Sequence, residues 1–261
     1  MKRVLTIAGS DSGGGAGIEA DIKTISALGA YACTSITAVT AQNTLGVAAV
    51  HVLPPEFVRL SVETVLSDIG VDAVKLGMLA NAGIIHAVAE ALPADVPVVL
   101  DPVMVATSGA VLLPDDAISA LKNRLLPRAA LVTPNLPELA KLAGQGVETV
   151  PDRLAAARLL LAQGAAAVLV KGGHDHNPFL VDYLVTPDAV EEIGFARIDT
   201  RNTHGTGCTM ASAIATGLAQ GLSLCTATRR ARHYLQSAIA QAPGFGRGHG
   251  PLNHLVREFE P

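Results

Sequence analysis

Short apolar runs alternate with helical patterns from one end of the sequence to the other. Runs that predict strands lie at 3–8, 31–39, 72–76, 97–100, 129–132 and 166–170. Helical patterns lie at 16–28, 55–68, 81–92, 114–125, 136–143, 151–163, 207–220 and 224–241. Strands that alternate with helices are joined by right-handed crossovers, which make the strands parallel and cover both faces of the sheet. We therefore expect an α/β fold of three layers, α-β-α, with a mostly parallel central sheet.

One pair of segments departs from this alternation. Segments 179–185 and 190–198 have the pattern of strands but no helix between them. Two strands joined without a crossover pair in antiparallel fashion, so we place this pair at one edge of the sheet. Neither a linker nor an internal repeat interrupts the 261 residues, and we predict a single domain over 1–261.

The charge and the hydropathy pattern exclude two kinds of partner. A net charge of −4 gives no electrostatic reason to expect nucleic acid. The one basic cluster, Arg229, Arg230 and Arg232, favours a solvated helix end. No apolar run reaches the roughly 18 residues of a transmembrane helix, and the run at 4–8 is too short for a signal peptide. We expect neither a membrane nor a nucleic-acid partner.

The cysteines indicate a reducing compartment. Cys33, Cys208 and Cys225 are odd in number, far apart and without metal-type spacing. Free thiols in the cytoplasm are the simplest interpretation of this pattern.

Polar residues follow several of the predicted strands. Ligands of open parallel sheets bind beyond the carboxyl ends of the strands. Gly9, Lys75, Asp101, Asn135 and Lys171 all lie at or just after a strand end. The sequence therefore predicts a site along this edge of the sheet.

The strongest local motif is the run Asn-Thr-His-Gly-Thr-Gly-Cys at 202–208, which leads into an alanine-rich helix. Gly205, Thr206 and Gly207 let backbone N–H groups converge in front of the helix N-terminus, which forms an anion site. A cysteine at such a position has a lowered pKa, so Cys208 is a candidate base. An anion site beside a base suggests phosphoryl transfer, although a small buried thiol is the alternative.

Asp21 interrupts the apolar stripe of the first helix. At about 100° per residue it falls among Ile18, Ile22, Ile25 and Leu28 instead of opposite them. A carboxylate that faces inward must be hydrogen-bonded or must face a pocket. Both substrate binding and local hydrogen bonding fit this position, and we expect substrate binding.

Gln42 follows the second strand and offers a donor and an acceptor in one plane, which matches the edge of an aminopyrimidine. A solvated loop glutamine is the alternative. The first loop, 9–17, is rich in glycine but is neither a Walker A loop nor a dinucleotide fingerprint. It is either a close approach to a ligand or a flexible turn.

Three further residues fit a metal and triphosphate site. Asp101 ends a strand, where a carboxylate can hold Mg²⁺ or form a turn. Asn135 and Glu138 open a helix with the spacing of a capping box, and both also lie near the predicted phosphate site.

Lys171 ends a buried-looking strand, where it can reach phosphates or extend to solvent. The nearby run 174–176 contains two histidines, but its position in a loop argues against a metal site.

Together these motifs resemble the hydroxymethylpyrimidine/phosphomethylpyrimidine kinase family of thiamine biosynthesis, within the ribokinase-like superfamily. The resemblance covers essentially the whole chain. It is carried by segments 6–18, 41–44, 75–78, 101–104, 133–138, 170–174, 202–208 and 249–254. It implies an ATP-dependent, Mg²⁺-requiring kinase that phosphorylates 4-amino-5-hydroxymethyl-2-methylpyrimidine and then its monophosphate.

The resemblance also implies roles for individual residues. Those around the pyrimidine would be Gly9, Ala16, Asp21, Gln42, Met78 and Val103. Those at the triphosphate and Mg²⁺ would be Lys171, Thr206, Asp101, Asn135 and Glu138. Gly205, Thr206 and Gly207 would hold the developing charge, and Cys208 would take the hydroxyl proton.

Two alternatives remain. Pyridoxal kinases share the fold, and the shape of the pocket around Gln42 and Met78 distinguishes the two activities. A non-catalytic pyrimidine sensor is disfavoured because Lys171 and Cys208 are both present. The family also implies a homodimer.

Overall fold

The computed structural model describes residues 1–106, 109, 112–173 and 177–256. The ten strands in these ranges are β1 (Arg3–Ala8), β2 (Tyr31–Ile36), β3 (Ala38–Asn43), β4 (Gly46–Val52), β5 (Ala73–Leu76), β6 (Val98–Leu100), β7 (Leu131–Val132), β8 (Val168–Val170), β9 (Phe179–Val185) and β10 (Val190–Ala196). The helices are α1 (Gly17–Ala27), α2 (Pro55–Asp68), α3 (Ala82–Ala91), α4 (Asp115–Ala120), α5 (Leu136–Ala143), α6 (Val150–Ala162), α7 (Thr206–Ala219) and α8 (Leu224–Ala240). A wider helical turn and a 3₁₀ turn extend α4 over 121–128.

Eight strands form the central sheet, in the order β10-β9-β8-β7-β6-β5-β1-β2. All pairs from β8 to β2 are parallel, and β9 and β10 pair in antiparallel fashion at one edge. The predictions of a mostly parallel sheet and of an antiparallel edge are confirmed.

Two apolar cores lie on the two faces of the sheet. Successive strand residues alternate between them: Val98 and Leu100 of β6 pack into the core with α2 to α6, whereas Val99 packs into the core with α1, α7 and α8. Helices on both faces explain why the strands have continuous apolar sequences. The three-layer prediction is confirmed.

The segment predicted as one strand at 31–39 is two strands. β2 ends at Ile36, and Thr37 donates a hydrogen bond from Oγ1 to the carbonyl of Met78 as the chain leaves the sheet. β3 then pairs with β4 in a separate antiparallel hairpin. The hairpin was not predicted, because no glycine or proline marks the break.

The basic cluster is not a solvated helix end. It lies in the middle of α8, and only Arg229 of its three members is well exposed. Arg232 is buried, where its guanidinium pairs with Asp182 and lies 3.9 Å over the ring of Phe195. The sequence lacks any local sign of this partner, which belongs to β9.

Within the described ranges, none of the helices combines the length and the apolar character that a bilayer crossing requires. Residues 174–176, considered above as metal ligands, lie outside the described residues.

Candidate active site

A cavity of about 750 Å³ opens where the parallel strands end. Of the residues that the sequence placed at the site, Asp21 and Lys75 do not line this cavity and the others do. These residues are Gly9, Ala16, Gln42, Met78, Val103, Asp101, Asn135, Glu138, Lys171, Gly205, Thr206, Gly207 and Cys208. The edge of the sheet therefore brings together side chains that are far apart in sequence.

The N-terminus of α7 faces the cavity through a tight loop. Gly205 precedes the helix with φ +85°, in the left-handed region that favours glycine. A Cβ at Gly205 would lie 1.8 Å from the carbonyl oxygen of Gly15, so this glycine also permits the close contact of two loops. The N–H groups of the first helical turn have no partner within the helix. The N–H of Thr206 donates to the carbonyl of Thr203 at the long distance of 3.3 Å, and an anion in the cavity can compete for it and for the N–H groups that follow.

Gly207 leaves room between this helix end and a charged pair. A Cβ at Gly207 would lie 3.3 Å from Nζ of Lys171 and 3.4 Å from Oδ2 of Asp101. Any side chain here would enter the space that the lysine, the carboxylate and the helix N-terminus share. This space is the part of the cavity best suited to a phosphate.

The ammonium group of Lys171 lies beside two carboxylates. Its Nζ lies 3.0 Å from Oδ1 of Asp101 and 4.0 Å from Oε2 of Glu138. Burial, with the neighbouring charge of Asp101, raises the pKa of Glu138 to about 7, although the charge of Lys171 opposes the shift. When Glu138 is ionised, one cation serves two carboxylates, and the surplus negative charge favours a cationic ligand.

Asn135 and Glu138 form the capping box of α5. Oδ1 of Asn135 accepts from the N–H of Glu138, and Oε2 of Glu138 accepts from the N–H of Asn135. The capping interpretation is confirmed, and both residues line the cavity as well. The cap fixes the Glu138 carboxylate beside Lys171.

The expectation of a lowered pKa for Cys208 is wrong. Burial raises the pKa of this half-buried thiol to about 11. The positive charge of Lys75 and the N–H of Gly17 oppose the shift, whereas the charges of Asp21 and Asp101 add to it. The sequence motif shows the helix N-terminus but not the carboxylates that surround it.

The expectation that Asp21 contacts substrate is also corrected. Asp21 is fully buried, and Nζ of Lys75 lies 2.9 Å and 2.7 Å from its two carboxylate oxygens. The hydroxyls of Thr6 and Ser212 donate to the same carboxylate. The sequence correctly predicted that Asp21 faces inward, but its carboxylate forms an ion pair with Lys75 and does not line the cavity.

Two functional candidates were missed. Asp11, only 1% exposed, accepts N–H groups of the glycine-rich loop, and His204 of the 202–208 run contacts it at 2.8 Å. The signal for Asp11 was its place in the loop two residues before three glycines, since a loop aspartate readily accepts neighbouring N–H groups. No local signal identified its pairing with His204.

The fold and the site define the class of ribokinase-like small-molecule kinases, and comparisons with known proteins agree. The sequence model of a family described as phosphomethylpyrimidine kinase matches residues 11–253. This chain belongs to that family.

Two curated relatives illustrate the similarity. The chain is 51% identical, over 97% of its length, to the thiamine biosynthesis bifunctional protein ThiED of Geobacter sulfurreducens, and it spans about half (52%) of that protein. It is 48% identical to the hydroxymethylpyrimidine/phosphomethylpyrimidine kinase of Rhizobium meliloti, with 97% of each chain covered.

Solved structures share the fold. An ADP complex of Bacillus subtilis pyridoxal kinase superposes with a TM-score of 0.89 at 35% identity, with 97% of each chain covered. A phosphomethylpyrimidine kinase from Clostridium difficile 630 superposes with a TM-score of 0.81 at 39% identity, over 92% of this chain and 100% of that one.

Proposed function

We propose that this protein is an ATP-dependent kinase that phosphorylates the hydroxymethyl group of 4-amino-5-hydroxymethyl-2-methylpyrimidine (HMP) and then the resulting monophosphate. The observation that carries the proposal is the space in front of Gly207, bounded by Lys171, Asp101 and the N-terminus of α7, with Cys208 beside it. The name of the Rhizobium meliloti relative supports the substrate, and the name of the Geobacter sulfurreducens bifunctional protein supports a place in thiamine biosynthesis.

Phosphoryl transfer depends mainly on positioning and on stabilisation of charge. Lys171 holds the phosphates of ATP with its ammonium group. Gly205, Thr206 and Gly207 direct backbone N–H groups at the transferred phosphoryl group, where such donors are most effective. Gly9, Ala16, Gln42, Met78 and Val103 surround the pyrimidine ring.

The residues around Lys171 also fit Mg²⁺. The carboxylates of Asp101 and Glu138 share a single lysine, and Asn135 lies next to them. Mg²⁺ is typically held by one or two carboxylates together with phosphates and water. When bound, the ion would neutralise charge on the triphosphate.

Cys208 takes the proton of the substrate hydroxyl in this proposal. Since the pKa of the thiol is raised to about 11, only a small fraction of it is thiolate at neutral pH. As long as the pH stays below the pKa, the thiolate fraction increases about tenfold for each unit by which the pH rises. The transfer rate should therefore rise with pH across the neutral range.

One assay tests the function. Purified protein receives Mg-ATP with either HMP or pyridoxal, and the products are separated by mass. We expect HMP monophosphate followed by the diphosphate. Phosphorylation of pyridoxal alone would overturn the proposal in favour of the second candidate, a pyridoxal kinase, which the similarity to the Bacillus subtilis structure favours.

A homodimer and a cytoplasmic location stay predictions. Light scattering of the purified protein tests the first, and fractionation of cells tests the second.

A further inference from the structure

Three separate segments of the cavity wall meet at one histidine. His204 precedes the α7 loop, Asp11 belongs to the loop after β1, and Gln42 belongs to β3. Nε2 of His204 lies 2.8 Å from Oδ2 of Asp11 and 3.2 Å from the atom assigned as Nε2 of the Gln42 amide. We call this chain of contacts the Asp11–His204–Gln42 relay.

The first member of the relay acts only as an acceptor. The N–H groups of Gly13, Gly15 and Ala16 donate to the carboxylate of Asp11 at 2.8 to 2.9 Å. A carboxylate that accepts several N–H groups stays ionised, and although burial raises the pKa of Asp11, these bonds and His204 hold it at about 2. The ring nitrogen of His204 that faces Asp11 must therefore carry a proton.

The proton on Nε2 decides the orientation of the Gln42 amide. A protonated ring nitrogen has no lone pair, so it cannot accept from the NH₂ group of Gln42. The oxygen and nitrogen of an amide are assigned from their hydrogen bonds, and the two orientations have nearly the same shape. The orientation consistent with the relay turns Oε1 of Gln42 toward His204 and leaves the NH₂ group for the cavity. The single Nε2–H is then shared in a bifurcated bond, with Asp11 as the nearer acceptor and Gln42 as the more distant one.

The backbone of Gln42 is fixed independently of its side chain. The hydroxyl of Ser12 accepts from the N–H of Gln42 and donates to its carbonyl, both at 2.8 Å. A bulge between Ala41 and Gln42 shifts the register of the hairpin at this point. Bulges re-aim side chains, and here the bulge directs Gln42 to the cavity that it lines.

We propose that His204 is a positioning residue that acts through Gln42: held by Asp11, it orients the Gln42 amide so that an NH₂ donor meets a ring nitrogen of the substrate. This inference rests on the proposed function, because HMP supplies the ring nitrogen. It makes the site selective for an aromatic ring with a lone pair at that edge.

A double-mutant cycle tests the relay. Gln42→Ala removes the donor, and His204→Phe removes the N–H group but keeps a ring. We expect each change to raise KM for HMP about ten- to a hundredfold, with a smaller effect on kcat, as expected for one buried hydrogen bond. The double variant should bind HMP no worse than Gln42→Ala, because His204 acts only through Gln42.

Two further variants keep the test decisive if His204→Phe folds poorly. His204→Gln places an NH₂ donor between Asp11 and Gln42 and should restore most of the affinity. Gln42→Glu still accepts from His204 but offers no donor to the ring, so KM should rise as in Gln42→Ala. His51→Phe, on the exposed side of β4, is the matched control and should leave KM unchanged.

Additive effects of Gln42→Ala and His204→Phe would overturn the relay, as would normal HMP affinity in Gln42→Glu. Binding of HMP is measured by calorimetry as well as by turnover. If wild-type protein binds HMP without phosphorylating it, the proposed function fails while the calorimetric cycle still decides the relay.

Discussion

Two lysine–aspartate pairs lie near the same cavity and differ in what surrounds them. Lys75 and Asp21 are completely buried, and two hydroxyls complete the hydrogen bonds of the carboxylate. Lys171 and Asp101 lie 3.0 Å apart with the lysine side chain 13% exposed, and Glu138 adds a second negative charge. The same two residue types thus form a closed pair in one place and an open pair in the other.

This difference assigns the Lys75–Asp21 pair to the stability of the fold and the Lys171–Asp101 pair to the chemistry of the site. A buried pair with all its partners has nothing left to offer a ligand, whereas removal of one partner leaves an uncompensated charge in the interior. A pair that borders the cavity, with surplus negative charge, can exchange its partners for a phosphate and a cation. The variants below test this contrast, from the largest expected effect to the smallest.

Lys75→Met breaks the closed pair. We expect the free energy of unfolding to fall by about 3–5 kcal/mol, because the carboxylate of Asp21 stays buried without its counter-charge. Denaturant unfolding measures the change. The matched control is Lys171→Met, and an equal loss in both variants would contradict the distinction between the pairs.

Cys208→Ala changes the group that lies between the two pairs. Loss of the proton acceptor should lower kcat by about 10²–10⁴-fold while ATP binding and the unfolding free energy stay nearly unchanged. The rise of kcat with pH in the wild type should also disappear. A variant with full turnover at every pH would show that the thiol has no part in proton transfer.

Lys171→Met removes the cation of the open pair. The expected loss in kcat/KM is about 10²–10³-fold, the range for one electrostatic donor in an active site. Steady-state kinetics with ATP and HMP measure it. Unchanged kinetics in a folded variant would remove Lys171 from the phosphate site.

Glu138→Gln gives the smallest effect and has a defined pH dependence. The pKa of Glu138 is raised from 4.5 to about 7, so the folded state favours its protonated form. Stability from this group is complete below pH 4.5 and is lost as the pH rises through 7. Unfolding of the wild type and of the variant, compared from pH 4.5 to 8, should show this loss in the wild type only.

The same ionisation should affect ligand binding in the opposite direction. Mg-ATP should bind the wild type several-fold more tightly at pH 8 than at pH 6, because the carboxylate gains its charge near 7. Binding to Glu138→Gln should be nearly independent of pH over this range.

The layers and the edge of the sheet were predictable because they follow from local patterns. Each strand and helix has its own apolar periodicity, and the order of elements restricts the connections. The β3–β4 hairpin was not predictable in this way, since no glycine or proline marks the point where Thr37 leaves the sheet. Its position depends on the carbonyl of Met78, a contact between distant parts of the chain.

Prediction of the site has the same limit, because contacts between distant parts of the chain are not visible in the local sequence. The positions of Asp101, Lys171 and Cys208 at strand and helix ends follow from the sequence, whereas the state of each group depends on its neighbours. Asp21 and Lys75 are 54 positions apart, and nothing local indicates that they pair. The raised pKa of Cys208 likewise results from burial and from carboxylates on other elements.

The contact between Gly205 and Gly15 has a practical consequence for handling the protein. Because an early loop and a late loop must meet before the anion site exists, no N-terminal fragment that stops short of Gly205 contains it. Turnover thus reports the yield of molecules in which both loops have refolded, and a nascent chain acquires it only after Gly205 has been synthesised.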